Sequence, residues 1–458
     1  MSQSGLFALA DLHGGQQGGG EPRASRLAEG GGTEVQAHNV RVTPAAPASL
    51  AVGAPPPGWP AAPGPEAYTG LLGDIVGALA PHTEADPVAV LAQALVAAGA
   101  VIGRGAHFAV EATLHHPNEY VLLVGESAKA RKGSSWDHVA RLMGAADPGF
   151  AARTSTGLSS GEGLVWALRD PAGTDPGASD PRLLVVEPEF ASVLKSTGRD
   201  VSTLSPVLRS AWDGRPLALL TRTAPARARA AHLAVIGHIT AVELAQHTAG
   251  IEAANGLLNR FLLIACRRAR LLPEGGHPDP LAGTGLPATL ATNLAAARGA
   301  GRLRFSAAAR QLWWDTYPSL SEAAPGPGGA LVARAEAHTV RLALLYALTD
   351  GARSIGPGHL RAGLCLWAYA ARTAHWAAGQ ATVGPLAGRI ADALIAAGPQ
   401  GLTRTQIRDA LGRNQPGANI DAALAALATD GRAQVGTATT TGGRPSQTWT
   451  GGQPVVRG

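Results

Sequence analysis

Five short apolar runs, bounded by turn residues and separated by stretches of helical spacing, constrain this chain more than any other feature. HFAVEA (107–112), YVLLV (120–124), RLLVVE (182–187), HLAVIGHIT (232–240) and RFLLIAC (260–266) have strand length and are rich in Val, Ile and Leu. Helical patterns lie between several of them, which points to a mostly parallel sheet in an α/β domain running from Tyr68 to about Arg270. The segment PAGTDPGASDP (171–181) reads as a surface loop.

The flanking regions read differently. Residues 1–66 carry GGQQGGG and APPPGWPAAPGP without periodicity, a composition that cannot bury enough apolar surface to offset ordering, and are expected to be disordered. The core is expected over 67–303 and an all-helical subdomain over 304–384. Residues 385–458 read as three helices and a hairpin, the order of a winged helix-turn-helix, with Thr403 and Gln406 as a capping box on the second helix. No apolar run reaches the roughly 18 residues of a membrane span. Val88–Ile102 is the longest and predicts a buried helix, with Asp86 as its N-cap and Pro87 as its first residue. No signal-peptide pattern opens the chain, and two cysteines make neither a disulfide framework nor a zinc site, so a cytoplasmic location is expected.

The net charge of +5 leans mildly towards polyanionic partners. Lysine is rare: Lys129, Lys132 and Lys195 are the three in a chain with 38 basic residues. Two of them fall in one turn, GESAKARKGSS, between the YVLLV strand and a helical segment, WDHVARLM. A phosphate-binding loop is a setting where a compact ammonium is not readily replaced by a guanidinium. There, backbone N–H groups cradle the phosphates, a Lys reaches the β/γ oxygens and a hydroxyl binds Mg²⁺. Gly125, Lys129, Arg131, Lys132, Gly133, Ser134 and Ser135 are the candidate nucleotide-binding residues, with Lys132 as the central Lys and Ser134 or Ser135 as the Mg²⁺ ligand. The loop departs from G-x-x-x-x-G-K-[ST]: it is longer, and its second glycine follows the Lys. A basic surface turn is the plainer alternative.

RLLVVEPEF offers a Walker B strand, with Glu187 at its end for Mg²⁺ and Glu189 two residues on; a solvated strand-end Glu is the alternative. Glu162 either polarises an attacking water or completes a capping box with Ser159. His238 or Thr240 either meets a γ-phosphate or is an ordinary core group. Arg260 either serves as an arginine finger across a subunit interface or forms an internal ion pair.

Taken together, PHTEADP, HHPNEYVLLVGESAKARKGSSW, GLSSGEGL, LLVVEPEFASVL, LRSAWDG, IGHIT and NGLLNRFL resemble actinobacterial proteins carrying a domain of unknown function of the RecA-like P-loop class. The resemblance covers about 67–380, and such domains are commonly joined to, or encoded near, primase-polymerase modules of plasmids and phages. It implies a RecA-like P-loop NTPase core with a helical extension and a C-terminal winged helix-turn-helix. It also implies ATP and Mg²⁺ as cofactors, DNA as partner, separate primase or replication proteins alongside, and a homo-oligomer, with a hexamer among the sizes it admits. It assigns Lys132 to the phosphate, Glu187 to Mg²⁺ and Arg260 to the NRF motif. The expected activity is that of a helicase-like motor; the alternative is a nucleotide-switched initiator or regulator. In the C-terminal unit, Arg404, Arg408, Arg413 and the wing residue Arg444 are the candidate DNA contacts. The third helix, ANIDAALAALATDG, is poor in base-reading side chains, which points to phosphate- or shape-led binding or to a protein-interaction role.

Overall fold

The computed structural model describes residues 46–55, 59–199, 201–220, 225–248, 256–324, 326–413, 415, 417–429, 431–438 and 446–452. Its centre is a sheet of five parallel strands: β3 (Tyr120–Val124), β4 (Thr154–Ser155), β5 (Arg182–Glu187), β8 (His232–Ile239) and β9 (Phe261–Ala265). Their spatial order is β4-β5-β8-β3-β9. The α/β expectation holds, and this arrangement is compatible with a RecA-like core. HFAVEA does form a strand, β1 (His107–Val110), but outside this sheet. It pairs with β2 (Thr113–His115) and with β10 (Arg302–Leu303) in a separate three-stranded sheet.

The strands alternate with period two, and both faces are covered. Val121 and Leu123 enter one core together with Val186, Ile236 and Ile264. Tyr120, Leu122 and Val124 enter the other with Val185, Val235 and Leu263. This is why YVLLV is apolar throughout rather than alternating. The first face is covered by α2 (Pro87–Ile102), whose side chains are almost all buried. Asp86 caps it by accepting from the Val88 N–H at 3.2 Å, and Pro87 opens it, as the sequence predicts. With the following turn, the apolar stretch Pro87–Gly105 is long enough by composition for a membrane span, yet it is 89% buried inside this fold. Its burial is that of a core helix.

The connection leaving β3 runs to β4 at the far edge, while the one leaving β8 passes β3 to reach β9. Adjacent strands whose exits diverge open a crevice at their carboxyl ends, the usual ligand position in open α/β sheets. Strand order thus directs attention to the segment after Val124.

Order also extends further towards the N-terminus than expected. Leu50 pairs with Leu271 through two backbone hydrogen bonds of 3.0 Å, and Trp59 packs edge-on against Trp376. Residues 46–55 and 59–66 are therefore docked on the core, because one Trp and a few backbone groups find partners there despite the Pro-rich composition. The remainder of the expected tail, 1–45 and 56–58, lies outside the described residues. The helical region contains Ala307–Ser321, Ala335–Thr349 and a helix of 41 residues, Pro357–Ala397. That last helix runs through the expected domain boundary at 384/385. Its earlier part packs on β9 and its later part joins the C-terminal core through Ile390 and Leu394. Beyond it lie β11 (Leu402–Thr403), helices Arg404–Ala410 and Gly417–Thr429, and strands β12 (Ala433–Ala438) and β13 (Ser446–Gly451). The three strands form an antiparallel sheet in the order β11-β13-β12. The Thr403/Gln406 capping box is present.

Candidate functional site

Gly125 leaves β3 with its N–H donated to Ile239 O at 3.1 Å, while the Cys266 N–H bonds Val124 O at 2.9 Å. The root of the loop is thus clamped between the ends of β8 and β9. A Cβ at Gly125 would lie 2.3 Å from Cys266 O, so no side chain fits there. Two non-glycine residues of the loop, Ala128 (φ 52°) and Arg131 (φ 55°), adopt the left-handed region. Such conformations cost of order 1–3 kcal/mol each and gather at functional segments. Arg131 precedes α3 (Lys132–Ala146), and no side chain caps that helix. Lys132, its first residue, folds back over the loop and donates from Nζ to Gly125 O at 2.6 Å and to Glu126 O at 3.0 Å. An ammonium and the uncapped N-terminus of a 15-residue helix therefore converge at the carboxyl edge of the sheet, a combination suited to an anion. Burial lowers the Lys132 pKa, and the charges of Glu243 and Glu126 oppose that shift.

The residues around Lys132 divide into those facing the loop mouth and those engaged elsewhere. Lys129, Gly133 and Ser134 are exposed. Arg131 holds Glu84 at 2.6 Å and so bridges the loop and the segment before α2. Ser135 is fully buried: it donates to Lys132 O at 2.7 Å and accepts from Gln93 Nε2 at 2.7 Å. Of the two candidate metal-binding hydroxyls, Ser134 is the one left facing outwards. Gln93 Oε1 meets His238 Nε2 at 3.2 Å, so α2, α3 and β8 are joined by one buried polar chain. Because the Gln93 amide nitrogen already donates to Ser135 and Ala89 O, its oxygen must accept, and His238 donates. His238 therefore takes the core alternative.

Burial, reinforced by the Lys132 charge, pushes the His238 pKa down to about 4. An unfolded imidazole titrates near 6.5, so between about pH 6.5 and 4 the unfolded chain binds a proton that the folded chain refuses. Stability falls as pH drops through that window and levels off below it. At pH 5.5 this one residue should account for about 1 kcal/mol. Thermal unfolding at pH 7 and 5.5 checks it: the pH dependence should shrink in His238→Gln, and an unchanged dependence would remove His238 from the account. Cutting the chain at its centre has a separate effect. Gln93→Leu strands His238 Nε2 in the core and takes from Ser135 Oγ its donor, though not its bond to Lys132 O, and should lower stability by about 1–3 kcal/mol in a denaturant titration.

Sequence reading passed over Glu243. Its carboxylate accepts from Thr240 N–H at 3.0 Å and Thr240 Oγ1 at 2.8 Å, and its own N–H returns to Thr240 Oγ1 at 3.2 Å. This capping box opens α7 (Ala241–Thr248), and Thr-x-x-Glu after an apolar strand was the signal for it. The Thr240 N–H bond, followed by the charges of Lys132 and Lys195, lowers the Glu243 pKa. Thr240 is thus occupied by its own helix cap.

The expected carboxylates are more scattered. Glu187 is buried at the end of β5, and its Oε1 accepts from the Leu158 N–H at 2.5 Å. In register it stands beside Gly237, which stands beside Leu122; two strand spacings put it roughly 10 Å from β3. Glu189 is exposed before the helix Phe190–Thr197 and makes no cap bond. Glu162 is exposed and accepts from Thr203 Oγ1 at 2.8 Å. The helix cap there is Ser160, accepting from the Gly163 N–H, so the Ser159–Glu162 box is not formed. Among the described residues, no group of three His, Cys, Asp or Glu is arranged to hold a metal.

Arg260 lies at the opposite, amino end of the sheet. It is 5% exposed and grips Asp213 with two nitrogens, at 3.1 and 2.9 Å, and also donates to Gly256 O. The internal ion pair, not a finger free to reach a neighbour, is what this geometry provides, because Asp213 folds back 47 residues earlier in the chain to meet it. In the C-terminal unit, Arg404 is paired with Asp421 and Arg413 with Asp409, all at the surface. Arg408 is exposed, and Arg444 lies outside the described residues. Set against known proteins, the chain matches no family model and no curated sequence.

Proposed function

We propose that the chain binds a nucleoside triphosphate, ATP with Mg²⁺, on the loop from Gly125 to Ser134 and hydrolyses it to act on DNA, as a helicase-like cytoplasmic motor of plasmid or phage replication. The observation carrying this reading is the convergence of Lys132 Nζ and the uncapped start of α3 at the crevice between diverging strand connections. In this reading the Lys132 ammonium leaves Gly125 O and Glu126 O for the β/γ-phosphate oxygens, and the first N–H groups of α3 take the remaining phosphate charge. Glu187 and the outward hydroxyl of Ser134 are the residues that would hold Mg²⁺, which typically keeps several waters and needs one or two carboxylates. Glu162 is the group nearest in kind to a water-orienting base, once it releases Thr203. Lys129 adds positive potential at the rim.

The C-terminal order of helices and hairpin supports a winged helix-turn-helix, with Arg408 free to contact a phosphate. Arg404 and Arg413 would exchange their surface ion pairs for phosphates. Such exposed pairs are worth little, so the exchange is cheap.

A second reading is favoured by two details. Gly133 stands directly after Lys132, and Ser135 is locked onto Gln93, so of the two serines that follow Lys132 only Ser134 faces outwards; Glu187 is already bound by Leu158 N–H. A site so equipped can hold nucleotide and hydrolyse it slowly, which is the behaviour of a nucleotide-switched DNA-binding initiator. Phosphate release measured with and without single-stranded DNA separates the two. A motor shows turnover stimulated several-fold by DNA; a switch shows nucleotide-dependent DNA affinity with turnover indifferent to DNA.

A further inference from the structure

At the amino end of the sheet, on the order of 15 Å from the Lys132 loop along β3, lies a second concentration of charge. A cleft of about 500 Å³ opens between the β1–β2 hairpin, the turn after Trp212 and the start of the helix Ala335–Thr349. Four guanidinium groups line it, Arg104, Arg215, Arg334 and Arg341, against one carboxylate, Asp213. That carboxylate is already held by Arg260 at 2.9 Å and Arg334 at 3.6 Å. The neighbouring buried acid, Glu119, is held by His338 at 3.0 Å. Positive charge therefore remains in excess around the cleft.

The floor of the cleft is built rather than incidental. Arg341 is 2% exposed, and its two terminal nitrogens donate to Asn118 O at 2.6 Å and Trp212 O at 2.7 Å. Its guanidinium also lies 3.8 Å from the centre of the Trp212 ring, which fixes its orientation. Its Nε has no partner within the protein. His116, 5% exposed, also lines the cleft and is held there by its Nδ1–H, which donates to Ala106 O at 3.3 Å. Buried polar atoms left without partners are rare in folded proteins, and the Arg341 Nε–H is such a donor on a residue that lines this cation-rich space.

We propose that this cleft is a second anion site, distinct from the Lys132 loop, that takes a multiply charged phosphate group against Arg215, Arg334 and Arg341. Guanidinium forks match phosphate oxygens in pairs, and arginines approaching from different walls suit a group that presents several oxygens. The cleft is deep enough for a buried floor and has Arg215 on its exposed rim, so the ligand enters from solvent. The local potential agrees: burial first, and then the charge of Arg341 on His115 and of Arg104 on His116, push both imidazoles down to about 4. They are neutral near pH 7, and a bound anion would raise their pKa.

The phosphate could belong to a nucleic-acid strand or to a free small molecule, and the test distinguishes these sources. Binding is measured by calorimetry with pyrophosphate and by anisotropy with a labelled thymidine oligomer of about twelve nucleotides, a length within the usual span of single-strand sites. The parent is the full-length Lys132→Ala protein, so the loop site contributes nothing and its failure cannot be mistaken for failure of the cleft. Arg215→Glu, at an exposed position, should weaken pyrophosphate binding at least about tenfold with unchanged thermal unfolding. Arg334→Gln should act in the same direction. If the oligomer weakens equally and its salt slope falls by about 0.7 for each charge removed, the ligand is a strand phosphate. If pyrophosphate alone responds, it is a free phosphate compound. Absence of binding by both probes in the parent, or binding indifferent to Arg215→Glu, overturns the proposal.

Discussion

Lys132→Ala should lose nucleotide turnover by at least about 10²–10³-fold while the protein stays folded. The magnitude is that of removing one preorganised charge-stabilising donor from a phosphoryl-transfer site, and here the donor is a full positive charge. The fold should survive because Lys132 fills no core volume: Nζ bonds only Gly125 O and Glu126 O, and Glu126 is exposed. The substitution has a second readout that does not depend on activity. Burial is the first cause of the low His238 pKa and the Lys132 charge is the second, so deleting the ammonium should raise the imidazole pKa from about 4 without restoring it to 6.5. Two measurements decide the case, phosphate release and a ¹H–¹⁵N titration of the histidine ring. If His238 shifts while nucleotide affinity and turnover match the parent, Lys132 sits where the structure has it but the loop is not the nucleotide site.

The parts of this fold that were legible in the sequence are those where burial writes itself into composition. YVLLV, RLLVVE and FLLIA are buried strands, and a residue facing either core there must be apolar, so the run has no polar interruption. Thr154–Ser155 escaped notice because a two-residue edge strand, half exposed, needs neither length nor hydrophobicity. His107–Val110 carried the right local signal, but nothing in four residues says which sheet they join. Lys132 was conspicuous because lysine is so rare in this chain. Gln93 was invisible for the opposite reason: one polar residue in an almost wholly buried helix looks like an exception until Ser135 and His238 are brought to it from 42 and 145 residues away. The fate of Arg260 was equally hidden, since local sequence cannot tell a buried guanidinium with a distant partner from an exposed one. The 41-residue helix shows the converse limit, because the boundary expected at 384/385 falls inside it and the helix continues past Pro385.

Arg260→Ala should destabilise the protein by about 3–5 kcal/mol, the usual cost of breaking a buried pair from one side. The side chains of Arg260 and Asp213 are 6% and 19% exposed, and Asp213 would be left with Arg334 at 3.6 Å. The Gly256 carbonyl would lose its donor as well. Chemical denaturation gives the loss directly, and Trp212 fluorescence should report it, because Arg260 lies 5.7 Å from that ring. Arg260→Lys should recover only part of the stability, since a single ammonium cannot make the two-nitrogen grip on Asp213. The coupling energy in a cycle of Arg260→Ala with Asp213→Ala isolates the pair itself. A finger makes a different demand. Arg260→Ala subunits would be as stable as the parent, inactive alone, and would regain turnover when mixed with Lys132→Ala subunits. The buried pair requires the reverse, a lowered denaturation midpoint and no rescue on mixing. Restored activity in mixed oligomers of full stability would show that Arg260 leaves Asp213 in the assembled protein.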